Sequence, residues 1–170
     1  MSKRTKKTLS VDAAMLRLGK YCAYTDRTLD EVNKKLEELE VSEEDAKIVV
    51  ERLTKQGFIN EKRFAESFAR GKFRIKKWGK RRIKMEMRKK GLSDELIEKG
   101  LKELPEEDYS TTLDELLQKK WKQLQRSVVK DKTKDINAYN RQKLIRYALQ
   151  KGYEMDLVIG RVKAIKLSGA

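Results

Sequence analysis

The chain has 170 residues, with 42 lysines and arginines against 27 acids and a formal charge of +15. Charged residues make up 41% of it, where an ordinary globular domain carries about 25%; so much charge demands surface and favours thin helical packing over one thick core. There is no histidine and Cys22 is the single cysteine, which excludes an internal disulfide, zinc sites of the usual ligand sets, histidine bases and Ser-His or Cys-His nucleophile pairs.

In chain order, residues 1–9 are read as a disordered basic arm, cationic and without the continuous apolar run of a membrane span or secretory core. Beyond it there is one proline, Pro105, and no alternating run of strand type, so the expected fold class is all-α. Helix starts are marked by Thr28-Leu-Asp-Glu31, Ser42-Glu-Glu-Asp45 and Thr112-Leu-Asp-Glu115. These are read as capping boxes, in which the cap oxygen takes a free backbone N–H and the acid answers the helix dipole. Asn60 and Ser93 are read as two more caps. Gly57, Gly91 and Gly152 are read as left-handed residues that end helices.

These signals divide the chain into nine helices in three triplets. An offset of 51 lays Ser42, Ala46, Val50 and Leu53 on Ser93, Ile97, Leu101 and Leu104. An offset of 61 lays Gly91, Leu92, Ile97, Leu101 and Leu104 on Gly152, Tyr153, Val158, Val162 and Ile165. Under the same offsets Val32/Leu36, Ile83/Met87 and Leu144/Ala148 share inward places in the second helices. A period of this size marks a repeat array whose units complete one another's cores. The expected architecture is an elongated array of three tandem three-helix repeats, at 10–56, 57–104 and 105–170. In the third, Leu113, Leu116, Leu117, Leu124 and Val128 form an inward line with Trp121 at its edge, and the polar run Asp131–Asp135 links to the next helix.

Charge is segregated along this array. Residues 28–51 hold nine acids against three bases, 92–115 nine acids against two bases, and 116–146 ten bases against two acids. Between Lys62 and Lys90 there are fourteen Lys/Arg against Glu66 and Glu86, a net of +12. Helical period puts Phe64, Phe68, Gly71, Ile75 and Trp78 on one line, read as the core stripe. Arg63, Arg70, Arg74 and Lys77 run beside it over about 20 Å, the reach of several nucleotides. After Gly79, Ile83 and Met87 face inward while Arg81, Lys84 and Arg88 share an outer face. With Lys80 and Phe73, these cations form the candidate binding surface for a polyanion.

Phe64, Phe68 and Trp78 are read as core rather than as base-stacking platforms. Phe73 projects to the opposite side, between Arg70 and Lys77, and suits either a contact with the neighbouring repeat or an exposed stacking residue. Gly79 is read as a turn residue and Cys22 as a small apolar core residue. The acids at 43–45 and 106–108 are explained by helix N-termini rather than by a metal. The residues alone lead to a basic helical-repeat binder of nucleic acid or of an acidic protein assembly.

The segments Gly57-Phe-Ile-Asn-Glu-Lys-Arg-Phe-Ala65 and Gly79-Lys-Arg-Arg-Ile-Lys-Met-Glu-Met-Arg-Lys-Lys-Gly-Leu92 resemble signature motifs of the RecX regulatory proteins, and Leu144 to Val162, with Gln150-Lys-Gly-Tyr153, is similar to the family's third-repeat signature. The resemblance covers about residues 14–165; Thr25 departs from it where a basic residue is expected, and Thr28 stands for a serine cap. It implies a cytoplasmic, monomeric, non-enzymatic protein without cofactors, lodged in the groove of a RecA recombinase filament on single-stranded DNA, where it opposes filament growth, ATP turnover and strand exchange. The recombinase and DNA contacts it would carry are Arg63, Arg70, Phe73, Arg74, Lys77, Lys80, Arg81, Lys84 and Arg88. The alternative is a sequence-independent DNA- or RNA-binding helical-repeat protein that acts without the recombinase, since exposed Lys/Arg position a nucleic acid without specifying its sequence.

Overall fold

The computed structural model describes residues 9–126 and 136–165. The basic arm up to residue 8, Val128 and the linker Asp131–Asp135 lie outside the described residues. Among the described residues there are nine helices and no strand: α1 (Val11–Tyr24), α2 (Leu29–Glu38), α3 (Glu43–Lys55), α4 (Glu61–Lys76), α5 (Lys80–Lys89), α6 (Asp94–Lys102), α7 (Glu106–Arg126), α8 (Ile136–Lys151) and α9 (Met155–Ala164). The all-α class expected from the sequence holds.

Local chemistry explains most of the boundaries. Thr28 makes a full capping box, its hydroxyl taking the Glu31 amide while the Glu31 carboxylate takes the Thr28 amide. Ser42 caps α3 through the Asp45 amide, Asn60 caps α4 through the Arg63 amide at 2.9 Å, and Ser93 caps α6 through the Leu96 amide. Thr112 is a correction. It lies buried inside α7, which begins after Pro105 with Glu106, Glu107 and Asp108 in its first turn. Proline and three acids at a helix start outweigh a lone threonine later on.

The stops share one geometry. Gly57, Gly91 and Gly152 have φ of 75, 82 and 94°. At each, the next residue's amide reaches back to close the helix end: Phe58 to Leu53 O, Leu92 to Met87 O, and Tyr153 to Ala148 O. This is the Schellman arrangement, for which glycine suits the left-handed residue. A fourth copy ends α2, with Val41 bonding Leu36 O, but its left-handed residue is Glu40 at φ 54°.

The described chain divides into two compact units, one of residues 1–67 and 87–99, the other of 68–86 and 100–170. In the first, α1, α2 and α3 pack on one another around Ala14, Leu18, Cys22, Val32, Leu36, Val49, Leu53 and Ile59. Leu9 packs against this cluster, and Ser10 caps α1. Lys90 and Glu31 join at 2.6 Å in the same unit. Burial pushes the Glu31 carboxyl upward, but the hydrogen bonds from Lys90 and Thr28 and the charges of Lys90 and Arg27 prevail and hold it below the ordinary range. In the second unit, α7, α8 and α9 pack mutually around Tyr109, Leu113, Leu117, Trp121, Leu144, Tyr153 and Val158.

The inward positions assigned by the repeat offsets hold in the second helices, where Val32, Leu36, Ile83, Met87, Leu144 and Ala148 are all buried. They also hold for Ile97, Leu101, Val158 and Val162. In α3 they hold only at Leu53: Ala46 and Val50 are half-buried and Val49 is buried instead, and in the third repeat Ile165 is half-buried where Leu104 is buried. Trp121 is buried rather than at the edge of its helix, and Leu116 is half-buried.

Candidate nucleic-acid interface

Helix α4 forms because Asn60 caps its start and its small and aromatic residues recur at helical spacing. The expected core stripe along it needs correction. Phe64 is buried, but Phe68 and Trp78 are half-buried and Ile75 is 77% exposed. The buried line runs Ala65, Ala69, Phe73. Alanine carries little weight in a hydrophobic period but lets a helix approach closely, so the period of the larger side chains pointed to the wrong face.

Phe73 is therefore not an exposed stacking platform. Its ring lies 5.7 Å from that of Tyr109, which lies 5.0 Å from that of Tyr153. The Tyr109 hydroxyl accepts the Lys80 amide at 2.9 Å and donates to the Glu154 carboxylate at 2.8 Å. Burial raises its pKa well above that of an ordinary phenol and Glu154 adds to the rise, against a smaller opposing effect of the Lys80 amide.

The start of α5 is tied down through its backbone. The Gly79 amide donates to Lys151 O at 2.8 Å and the Arg81 amide to Gly152 O at 3.0 Å. A Cβ on Gly79 would sit 2.3 Å from the Gly152 carbonyl carbon and oxygen. Gly79 thus serves a close crossing of two backbones, beyond turning the chain as expected. The amides of Gly79, Lys80 and Arg81 are already spent on protein acceptors.

The nine candidate contacts meet different fates. Arg63 and Arg88 fall in the first unit and are engaged there. Arg63 bonds Asp26 at 2.7 Å and reaches Gly57 O at 3.2 Å, and Arg88 pairs with Asp94 at 2.8 Å. The other seven fall in the second unit. Lys80 pairs with Glu106 and stands 4.8 Å over the Tyr109 ring. Arg70 faces Glu103 at 3.7 Å, an exposed pair of the kind worth about 0–1 kcal/mol that leaves the cation available. Arg74 and Arg81 are exposed and Lys77 is half-buried, and among the described residues no hydrogen bond or ion pair engages their side chains. Lys84 is half-buried and does have a partner.

Arg70, Phe73, Arg74 and Lys77 are brought together in one cleft of about 330 Å³, whose other wall is formed by Glu103, Leu104, Asp108, Thr112 and Glu115. Lys77, the residue after α4, is left-handed at φ 53°. Lys72 and Arg82 were not among the expected contacts. Lys72 lies 5.0 Å over Phe68 and 5.3 Å over Trp78, and Arg82 lies 4.3 Å over Trp78 while donating to Gln150 O at 3.1 Å. For Lys72 the signal was its spacing of four residues from Phe68 on α4, since such neighbours share a helix face; Trp78 lies in the link between α4 and α5, and helical spacing does not point from it to Arg82. Cation–π contact lets the half-buried rings lie at a charged surface.

A sequence model of the RecX second three-helix domain matches residues 60–101. Among similar proteins, the regulatory protein RecX of Clostridium perfringens strain 13 is 31% identical over 132 residues, 78% of this chain and 58% of that protein. The regulatory protein RecX of Clostridium beijerinckii is 31% identical over 144 residues, 83% of this chain and 64% of that protein. The chain spans between 33% and 64% of the length of eight curated RecX relatives it matches. A crystal structure of RecX from Lactobacillus salivarius shares the fold with a TM-score of 0.78 at 22% identity, covering 90% of this chain and 94% of that one. Among the described residues no helix is long and apolar enough to cross a membrane. Matched over its middle domain by the family's sequence model and along most of its length by RecX proteins at 31% identity, the chain belongs to the RecX family of regulatory proteins.

Proposed function

We propose that this chain is a non-catalytic, cytoplasmic and monomeric regulator of homologous recombination and DNA repair. It binds the RecA filament on single-stranded DNA and inhibits filament growth, ATP turnover and strand exchange. Three tandem three-helix repeats, at 10–56, 57–104 and 105–170, carry this activity. The observation that supports the reading most is the group of cations without partners among the described residues, Arg74, Lys77 and Arg81, within a segment of net +12 in a RecX-family chain. Bound phosphate oxygens or acidic side chains would supply the missing partners, and no base-reading pattern accompanies them.

The test compares the purified protein on preassembled recombinase filaments and on bare single-stranded DNA, followed by strand exchange. The native protein is expected to prefer the filament and to inhibit exchange; Arg74→Glu with Arg81→Glu is expected to abolish inhibition at concentrations where the native protein saturates, with helical circular dichroism unchanged. A folded double variant that inhibits as strongly as the native protein would move the contacts off this face. Equal affinity for bare DNA, with no effect on the recombinase, would favour the alternative of a sequence-independent nucleic-acid binder.

A further inference from the structure

We propose that the groove between α2 and α3 docks a basic amphipathic helix of a partner protein. The inference deepens the proposed function by assigning a protein-contacting site separate from the cationic segment, and it rests on that reading for the partner being a protein.

The groove has a volume of about 620 Å³. Leu29, Asn33, Leu36 and Glu37 line one side and Glu43, Ala46, Lys47, Val50 and Glu51 the other, with Val41 between them. Each side is a stripe at helical spacing, about 12 Å long at 1.5 Å per residue, and two such ridges leave a furrow that matches about two turns of a third helix. Its floor is apolar and its rim carries three acids against one base.

Two features of α2 and α3 exceed what the local fold requires. The first is the apolar width of α3. Val49 and Leu53 already fill the core, yet Ala46 and Val50 add a second apolar line that stays half-buried and faces the groove. The corresponding positions of the other repeats, Ile97 and Leu101 or Val158 and Val162, are buried. The second is the placement of acid. Glu37 and Glu38 lie beside Lys35 in the last turn of α2, where the helix dipole favours cations. Glu40 then occupies the left-handed position that glycine takes at the three sister stops. Acids at 43–45 serve the start of α3 and Glu38 pairs with Lys35 at 2.7 Å, but Glu37, on the rim of the groove, opposes the dipole at the end of α2. In a chain of net +15, a segment with nine acids against three bases is a local reversal of sign. An apolar floor inside an acidic rim complements a helix with aliphatic residues on one face and Lys or Arg along its edges.

The experiment titrates the full isotope-labelled chain with synthetic peptides about 15 residues long, followed by amide chemical shifts. One peptide carries leucines at i, i+4 and i+7 with lysines elsewhere; a second replaces the lysines with glutamates and a third the leucines with serines. The expected result is saturable binding of the first alone, with shifts confined to residues 29–51 and affinity reduced at least about tenfold in Glu37→Lys with Glu51→Lys. Absent binding, shifts centred elsewhere, or equal binding of the serine peptide would overturn the proposal, the last by showing charge attraction alone. Sedimentation gives the remaining arm: a concentration-dependent dimer abolished by the same double variant would make the occupant a second copy and would also overturn it. Because the titration contains neither recombinase nor DNA, its failure is distinct from a failure of the strand-exchange assay.

Discussion

Substituting Gly79 by alanine tests whether the crossing at the start of α5 holds the second unit together. The new methyl carbon would lie 2.3 Å from the carbon and oxygen of the Gly152 carbonyl and 2.4 Å from the Tyr153 nitrogen, where non-bonded carbons rest at about 3.5–4.0 Å. Backbone on both sides leaves no flexible side chain to yield, so α5 and the end of α8 must separate by more than about 1 Å. Strain of this kind costs about 1–3 kcal/mol. Separation also breaks the bonds from the Gly79 and Arg81 amides to Lys151 and Gly152, and each buried group left unpaired costs a further 1–3 kcal/mol or so. The expected loss is at least about 3 kcal/mol, read as a fall in the urea midpoint of about 1.5 M or more at a slope near 2 kcal/mol per molar. Gly71→Ala is the control. It lies in α4 with nothing within 4 Å of the added carbon and should gain about 0.5–1 kcal/mol from helix propensity. A loss below about 1 kcal/mol for Gly79→Ala would refute the crossing as a tight backbone contact.

Glu40→Gly relieves a left-handed glutamate and should raise stability by about 1 kcal/mol in the same urea assay; a destabilised variant would mean that the side chain contributes more than its backbone strain removes. Phe73→Ala should cost about 3–5 kcal/mol and Phe68→Ala clearly less, because only the first is buried; calorimetry that reversed this order would restore the original stripe. Glu31 has a folded pKa below its ordinary 4.5, so its contribution is present above that value and fades as pH falls through the lower folded value. Native protein should lose stability in that acid window, and Glu31→Gln, weaker at neutral pH, should lose less there; parallel curves would deny the linkage. Binding to single-stranded DNA that neutralises about four to six phosphates should weaken with a log–log salt slope of roughly −3 to −4, and a flat dependence would remove phosphate contact from the account.

Helix existence and most helix ends could be read from the chain because caps and left-handed glycines act locally. Asn60, Thr28 and Gly91 specify their ends through atoms a few residues away. The burial of Phe73 could not be read this way, since its partner Tyr109 lies in another helix and nothing in the α4 period points to it. The Ala65–Ala69 face was hidden for a related reason: alanine is informative only once the neighbouring helix is in place. The candidate site was legible as a concentration of charge. The division into engaged cations, such as Arg63 and Arg88, and those without a partner among the described residues, such as Arg74 and Arg81, depends on carboxylates brought in by folding. The left-handed Glu40 was missed because no propensity rule expects a glutamate there.

The clasp on α5 also has a consequence in time. Arg82 waits for an acceptor 68 residues further along the chain, and the Gly79 and Arg81 amides wait for carbonyls at a similar remove. At about 5–20 residues per second, a ribosome takes roughly 4–14 s to supply that stretch. For that interval the Gly79 and Arg81 amides, beside Lys80 and Arg82, have only solvent or other cellular groups to bond. Pulse-labelling of ribosome-bound chains by hydrogen exchange should find these amides unprotected until residues 151 and 152 have left the exit tunnel, and protected soon afterwards.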